Sequence, residues 1–425
     1  MKKVQALLEK NPNVNAWRIT EKATASYELF FVHRKLETVR ATDTVDTSVT
    51  VYVDHDGCKG DSTFPVYASM AEKDIAAKID AAVERARLVS NQPYELPAGE
   101  TARVELPTNM QDMAPKDLGA QIAQAVFAAD TVEGGSINAC EIFLYRDTVR
   151  VLNSRGVDKS QVTHRVMIEA IPTFTNGQDS VELYEDYRFT EFEPAKITAE
   201  IARRMQEVRD RFQAVKPQTP MTVNVVLRPQ EISELMWELA GDAGYGTVYA
   251  HANLHQLGDD LQPTGDHDPL TVTLRAVTPG SERSAQFDDD GTALRDTRVI
   301  DRGVVKNRYG SSRFGQYLGV ETPSGNLRCM LVEGGTLTEA DLVAQPYLEC
   351  ASLSGLQLDL YNDYIGGEIR LAYYFDGEKR TPVTGISMSA KLSDVLSSLR
   401  LSRATTVEGA YEGPEKLLMK NVAVL

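Results

Sequence analysis

The sequence predicts an α+β fold, with an N-terminal mixed domain of curved sheet and helices and a C-terminal strand-rich domain of barrel or sandwich type. Three observations carry that expectation. Residues 14–68 are dense in β-branched and aromatic types, as in Tyr27-Glu28-Leu29-Phe30-Phe31-Val32 and Ser48-Val49-Thr50-Val51-Tyr52-Val53. Two helical stripes follow, one through Ile75, Ile79 and Val83 and one through Ile197, Ile201, Met205, Val208 and Phe212. Beyond residue 216 short strand-like runs and turns prevail. The 425 residues also exceed what one core usually encloses. The expected division is 1–215, with sub-units of about 1–95 and 108–215, and 216–425.

Taken in order, Asp56-Gly57 marks a hairpin turn after the second strand. Ser69 and Glu72 have capping-box spacing at the start of the first stripe. A proline-bearing link covers 91–107, and Pro115 opens a helix with Leu118, Ile122 and Val126 on one face. Val149–Leu152 and His164–Ile171 read as strands, and Pro194 suits the first turn of the next helix. The link Lys216-Pro217-Gln218-Thr219-Pro220 is the best boundary, because two prolines stop a helix and stiffen the chain. After it come a strand at Val223–Leu227 and a helix with Ile232, Leu235, Met236 and Leu239, for which Gly241 is a natural stop. Strands at 270–277, 298–306, 357–360 and 368–375 and a helix with Leu392, Val395, Leu396 and Leu399 complete the chain.

Lys plus Arg number 45 and Asp plus Glu 61, a net charge of −16. Such a chain repels phosphate backbones and anionic lipid, so neither nucleic acid nor membrane is an expected partner. No apolar run is long enough to span a bilayer, and Met1-Lys2-Lys3-Val4 leads into Glu9-Lys10-Asn11-Pro12 rather than an apolar signal region. Cys58, Cys140, Cys329 and Cys350 are scattered without a CxxC pair, which suits free thiols in a reducing cytoplasm.

Local catalytic motifs are scarce. There is no GxSxG, Walker loop, GxGxxG after a strand, or HExxH. Asp54-His55-Asp56-Gly57 and Asp288-Asp289-Asp290-Gly291 lack the calcium-loop register and read as turns. His251 and His255 are spaced i, i+4, with Asp242, Asp259 and His267 available to complete a metal shell. Gly244-Tyr245-Gly246-Thr247-Val248-Tyr249 is a poor helix, however, which removes the meaning of that spacing. The helix ending Met236-Trp237-Glu238-Leu239-Ala240-Gly241-Asp242 is similar to a metalloprotease helix with both histidines replaced. Glu238 holds the general-base position, Trp237 the first ligand position and Asp242 the second. An indole N–H only donates, so Trp237 has no lone pair for zinc.

This context resembles the TldD/PmbA family, known for modulation of DNA gyrase and for peptide maturation. Glu133-Gly134-Gly135-Ser136-Ile137-Asn138 is similar to one family segment. Phe287-Asp288-Asp289-Asp290-Gly291-Thr292 through Asp301-Arg302-Gly303-Val304-Val305 is similar to a second. Asn362-Asp363-Tyr364 through Pro382-Val383-Thr384-Gly385-Ile386-Ser387-Met388 is similar to a third, and all occur in the family's order. Val51-Tyr52-Val53 through Gly60, with the helix after it, resembles the family's N-terminal unit. Val407-Glu408-Gly409-Ala410-Tyr411 carries no cysteine where the zinc-bearing TldD type has a ligand, so the resemblance is to the PmbA, or TldE, type. Ala390-Lys391 stands where the family has Gly-Asn, and the adjoining glycine-rich strand fits loosely.

The resemblance implies a metal-free subunit of a dimeric cytoplasmic metallopeptidase. It would have no catalytic residue or cofactor of its own, and would pair with a TldD-type zinc subunit or a second copy. An unfolded peptide would be the substrate, enclosed in a chamber between subunits. Two other readings stay open. One is an autonomous hydrolase with a relocated metal on Asp242, His251 and His255 and with Glu238 as base. The other is a non-catalytic homodimer that captures extended peptides on a strand edge.

Overall fold

The computed structural model describes residues 2–425 as a mixed α+β protein. The chain opens with helix α1 (Lys2–Lys10), then a meander of long strands, β1 (Ala16–Val32), β2 (Lys35–His55) and β3 (Cys58–Val66). Helix α2 (Glu72–Ala86), β4 (Glu100–Glu105) and α3 (Pro115–Ala128) lead to the hairpin of β5 (Gly135–Asn153) and β6 (Val157–Thr175). Short β7 (Ser180–Glu182) and β8 (Glu185–Phe189) precede the long α4 (Pro194–Gln213). These strands form one sheet in the order β3-β2-β1-β5-β6-β4, with β7 and β8 also on β6.

One face of this sheet is apolar and covered by helices. Leu118, Ile122 and Val126 of α3 and Ile197, Ile201 and Met205 of α4 pack on Leu29, Ile142 and Ile168. A second cluster joins Val4 and Leu8 of α1 and Ile75, Ile79 and Val83 of α2 to Ile19, Val49, Val51 and Phe64. Gly119 permits the close fit of α3, since a Cβ there would stand 2.6 Å from Leu29 Cδ1. The opposite face is polar, because alternate strand residues point away from the helices. On it Thr24 donates to Asp147 at 2.6 Å, and the Arg165 guanidinium reaches Asp147 at 2.7 Å.

The second half holds β9 (Met221–Leu227), α5 (Pro229–Gly241), α6 (Tyr245–Tyr249), β10 (Val272–Arg275), β11 (Thr297–Asp301), β12 (Val304–Val305), α7 (Ser312–Tyr317) and β13 (Cys329–Val332). Then come α8 (Glu339–Val343), β14 (Tyr347–Asp359), β15 (Tyr364–Phe375), β16 (Arg380–Val383), β17 (Ile386–Lys391) and α9 (Leu392–Leu396). Last are β18 (Arg400–Leu401), β19 (Thr405–Glu408), β20 (Tyr411–Pro414) and β21 (Leu417–Val424). Strands β14-β9-β21-β17-β15 close into a five-strand barrel through a β14–β15 pairing, with β16 and β18 attached. A second sheet runs β12-β11-β10-β13-β20-β19. The two share one core, in which Leu235 and Met236 of α5 meet Val225, Leu274, Met330 and Ile369.

Several sequence expectations need correction. The capping box from Ser69 and Glu72 does not form: Ala71 is the N-cap and makes no side-chain bond. A turn from Tyr67 to Met70 delays the helix past Ser69. The link 91–107 contains β4, which pairs in parallel with β6; that long-range pairing leaves no local trace in Glu100–Glu105. Helix α5 does end at Gly241, as expected, although without a left-handed turn: Asp242 caps it in right-handed helical conformation. The glycine-bearing segment 244–249 does form a helix, α6, because Tyr249 packs on Phe314 of α7 at 5.5 Å between ring centroids. Tertiary packing there outweighs weak propensity. The final helix ends at Leu396, and Leu399 is buried beyond it. The turn at Asp56-Gly57 forms with positive φ at both residues, and all four cysteines are free.

Candidate functional site

Helix α5 lies where the two halves meet. Pro229 starts it in the first-turn position that needs no N–H, and Arg228 is its N-cap. The Arg228 guanidinium reaches Glu207 of α4 at 2.6 Å and Glu349 of β14 at 2.9 Å. Glu349 also meets Arg380 at 2.7 Å, while Glu207 meets Arg203 at 3.0 Å and Arg204 at 2.9 Å. Arg204 in turn pairs with Glu185. Burial pushes the Glu207 carboxyl upward, but the guanidiniums of Arg203, Arg228 and Arg204 outweigh it and hold the group below the usual range.

Two neighbouring carboxyls behave in the opposite way. Glu231, in the first turn of α5, is only 6% exposed, and burial raises it to about 7. Glu185 is raised to about 7, again mainly by burial.

The junction opens into a cleft of about 930 Å³. Arg188, Arg204 and Arg211 line it from the N-terminal half; Gln230, Arg370 and Gly409 line it from the C-terminal half. Carboxylates alternate with the guanidiniums, as in Glu185–Arg204 and Asp186–Arg188. Next to it, the polar face of the N-terminal sheet and the loop 282–289 enclose about 470 Å³. Arg188 and Glu282 line both spaces and pair at 3.2 Å. The walls therefore offer charged and hydrogen-bonding groups of both signs with a few apolar positions such as Leu353, a surface suited to an extended polar chain.

The far end of α5 carries the residues singled out by sequence. Trp237 is half-buried against the core, and Glu238 is exposed. Asp242 is 7% exposed and fully engaged. It accepts from the Leu254 amide at 2.6 Å, the His255 amide at 2.9 Å and His255 Nδ1 at 3.0 Å. Asp242 and His255 are thus brought together, as a carboxylate that fastens the 253–256 turn. His251 stands apart on the surface at φ 54°, with its amide bonded to the Val248 carbonyl. Among the described residues no three His, Cys, Asp or Glu side chains are grouped to hold a metal ion. The donor set does not fit zinc: an indole has no lone pair to give, and the Asp242 oxygens already accept three hydrogen bonds. Sequence reasoning missed the Arg228–Glu207–Glu349 network and Glu231, whose partners come from distant elements. The only local signal was a charged residue on each side of Pro229-Gln230.

Among the described residues no helix is long and apolar enough to cross a membrane. No curated protein matches the sequence. Three solved structures share the fold over the full chain. TldE from Thermococcus kodakarensis has a TM-score of 0.79 at 15% identity, covering 100% of this chain and 99% of that one. A candidate modulator of DNA gyrase from Thermotoga maritima has 0.77 at 15%, covering 100% and 99%. A candidate modulator of DNA gyrase from Bacteroides thetaiotaomicron has 0.80 at 16%, covering 100% and 98%. Residues 220–425 match the model of the PmbA/TldA metallopeptidase C-terminal domain, which contains α5, the barrel and the second sheet. Residues 220–425 therefore match the PmbA/TldA metallopeptidase C-terminal domain, and the whole chain shares its fold with these three structures.

Proposed function

We propose that this chain is a metal-free, PmbA/TldE-like component of a cytoplasmic peptidase that processes unfolded peptides, with zinc supplied by a TldD-type partner. The observation that carries this reading is the use made of the degenerate helix positions. Trp237 fills core space, Glu238 faces solvent, and Asp242 fastens a turn. None of the three is arranged to activate water or polarise a carbonyl. What the chain contributes is wall and orientation. Its two domains, 1–215 and 216–425, flank the cleft of about 930 Å³, where guanidiniums can donate to the carbonyls of a peptide backbone and carboxylates can accept from its amides.

The test is reconstitution with a zinc-bearing homologue. Peptide cleavage is expected from the mixture and lost when either chain is omitted, with this chain retaining no stoichiometric zinc after purification without chelator. Zinc-dependent cleavage by this chain alone overturns the reading. Peptide binding with neither partner nor turnover would favour the non-catalytic binding protein instead.

A further inference from the structure

The cleft between the two halves departs from the rest of the chain in charge. Asp plus Glu outnumber Lys plus Arg by 61 to 45 overall, yet five guanidiniums face four carboxylates in the cleft wall. The pairing of those groups shows where the excess lies. Glu185 meets Arg204, which also reaches Glu207 at 2.9 Å. Arg188 meets Asp186 at 2.7 Å and Glu282 at 3.2 Å, and Glu282 lies 3.8 Å from Arg283. The Glu182 carboxylate accepts from Asn138 Nδ2 at 3.2 Å and from Thr173 Oγ1 at 3.4 Å. All four carboxylates are therefore engaged.

Two guanidiniums are left over, one from each half. Arg211 of α4 donates only to the Glu182 carbonyl, at 3.3 Å. On β15 the Thr384 hydroxyl donates to the Arg370 carbonyl at 2.7 Å, and the Arg370 guanidinium has no protein partner among the described residues.

Local structure aims both into the cleft. Arg204 and Arg211 are seven residues apart, about two turns of α4, so they share the face of the helix that lines the space. On β15, Ile369 pairs with Leu353 and Leu371 with Ser352, so Arg370 is an extra residue with nothing opposite it on β14. A bulge of this kind turns a side chain out of the regular alternation. Ser352 and Leu353, which flank the bulge on β14, line the cleft beside it.

We propose that Arg211 and Arg370 bind acidic side chains of the peptide, so that the cleft selects segments rich in glutamate and aspartate. This selectivity rests on the cleft being the peptide site of the peptidase reading, and adds the class of peptide taken. A guanidinium stays charged and presents its N–H donors in a planar fork, which a carboxylate fits bidentately. A lysine in the peptide would meet an excess of positive charge, and a glutamine would leave that charge unneutralised. Successive side chains of an extended peptide point to opposite sides, so acidic residues can reach both walls.

Fluorescence anisotropy tests it on the full chain, alone and mixed with the chelator-treated zinc-bearing homologue. The probe is a labelled glycine-serine peptide, blocked at both ends and carrying glutamate at intervals. It is expected to bind about tenfold more tightly than the same peptide with glutamine for glutamate. Arg211→Gln or Arg370→Gln is expected to cut the preference to about threefold and the double variant to abolish it, with binding of the glutamine peptide and the thermal midpoint unchanged. Arg370→Lys keeps more of the preference than Arg370→Gln, because the charge remains. Salt at about 0.5 M narrows the wild-type preference. Equal binding of the two peptides, or a preference indifferent to both substitutions, overturns the proposal and leaves the peptidase reading standing. A preference that appears only when the C-terminus is left free assigns the arginines to a terminal carboxylate and overturns it too. Binding of neither peptide overturns both, whereas a preference without cleavage by the zinc-loaded mixture supports the selectivity and overturns the peptidase reading alone.

Discussion

The N-terminal sheet is open, running from β3 at one edge to β4 at the other, whereas five C-terminal strands close on themselves through β14 and β15. The open sheet grows by hairpins between neighbours in sequence, β1 to β2 to β3 and β5 to β6. The barrel instead sets β9 between β14 and β21, so that Met221 pairs with Val424. Closure removes edges and demands long-range order; openness leaves an edge that something must manage. The difference predicts unequal sensitivity. Substitutions where the barrel meets α4 should be severe, and substitutions along residues 35–46 of β2, whose edge β3 leaves bare, should be silent for the monomer's stability.

The largest effect is expected at Arg228, which links α4, β14 and the start of α5. Arg228→Ala leaves Glu207 and Glu349 without their shared guanidinium, and a loss of about 3–5 kcal/mol in urea unfolding is expected. A loss below about 1 kcal/mol would mean that Arg203, Arg204 and Arg380 suffice, and that the junction is not where the two halves depend on each other.

Glu231 sharpens the same contrast through pH. Its carboxyl is raised to about 7 in the folded state by burial, against about 4.5 unfolded. The folded state thus holds a proton that the unfolded state gives up. The stability it contributes is fully present below about pH 4.5 and is lost as pH rises to about 7. Glu231→Gln, which cannot ionise, should be more stable than wild type by about 2–3 kcal/mol at pH 8 and close to it at pH 4.5. Equal differences at both pH values would count against a proton on Glu231.

A smaller effect is expected at the far end of α5. Asp242→Ala frees the amides of Leu254 and His255 and should cost about 1–2 kcal/mol, with faster proteolysis near residue 254. Unchanged cleavage would show that the turn holds without its carboxylate. The smallest is Val39→Ala on the bare edge, expected within about 0.5 kcal/mol for the monomer. A larger loss would mean that the edge is part of the folded core and would erase the contrast.

How much was legible follows from the same difference. Pro115 and Pro194 mark the starts of α3 and α4 because each restricts its own residue and the one before it. The stripes through Ile75 and through Ile197 find their helices and their buried faces. The strand β4 and helix α6 escaped, since one depends on a parallel partner more than fifty residues away and the other on rings of α7. At the site, Trp237, Glu238 and Asp242 were found by local spacing, but their surroundings were not. Asp242 meets His255 thirteen residues later through a turn that no periodicity announces.

The sequence by itself determined the α+β composition, the helix faces and the lack of histidine in α5, because each depends on residue type and short spacing. The tertiary structure decided the closed barrel, the Arg228 network, the burial of Glu231 and the bare stretch of β2. Each of these arises from chain segments brought together across long separations, where burial and missing partners, rather than local propensity, set the energy.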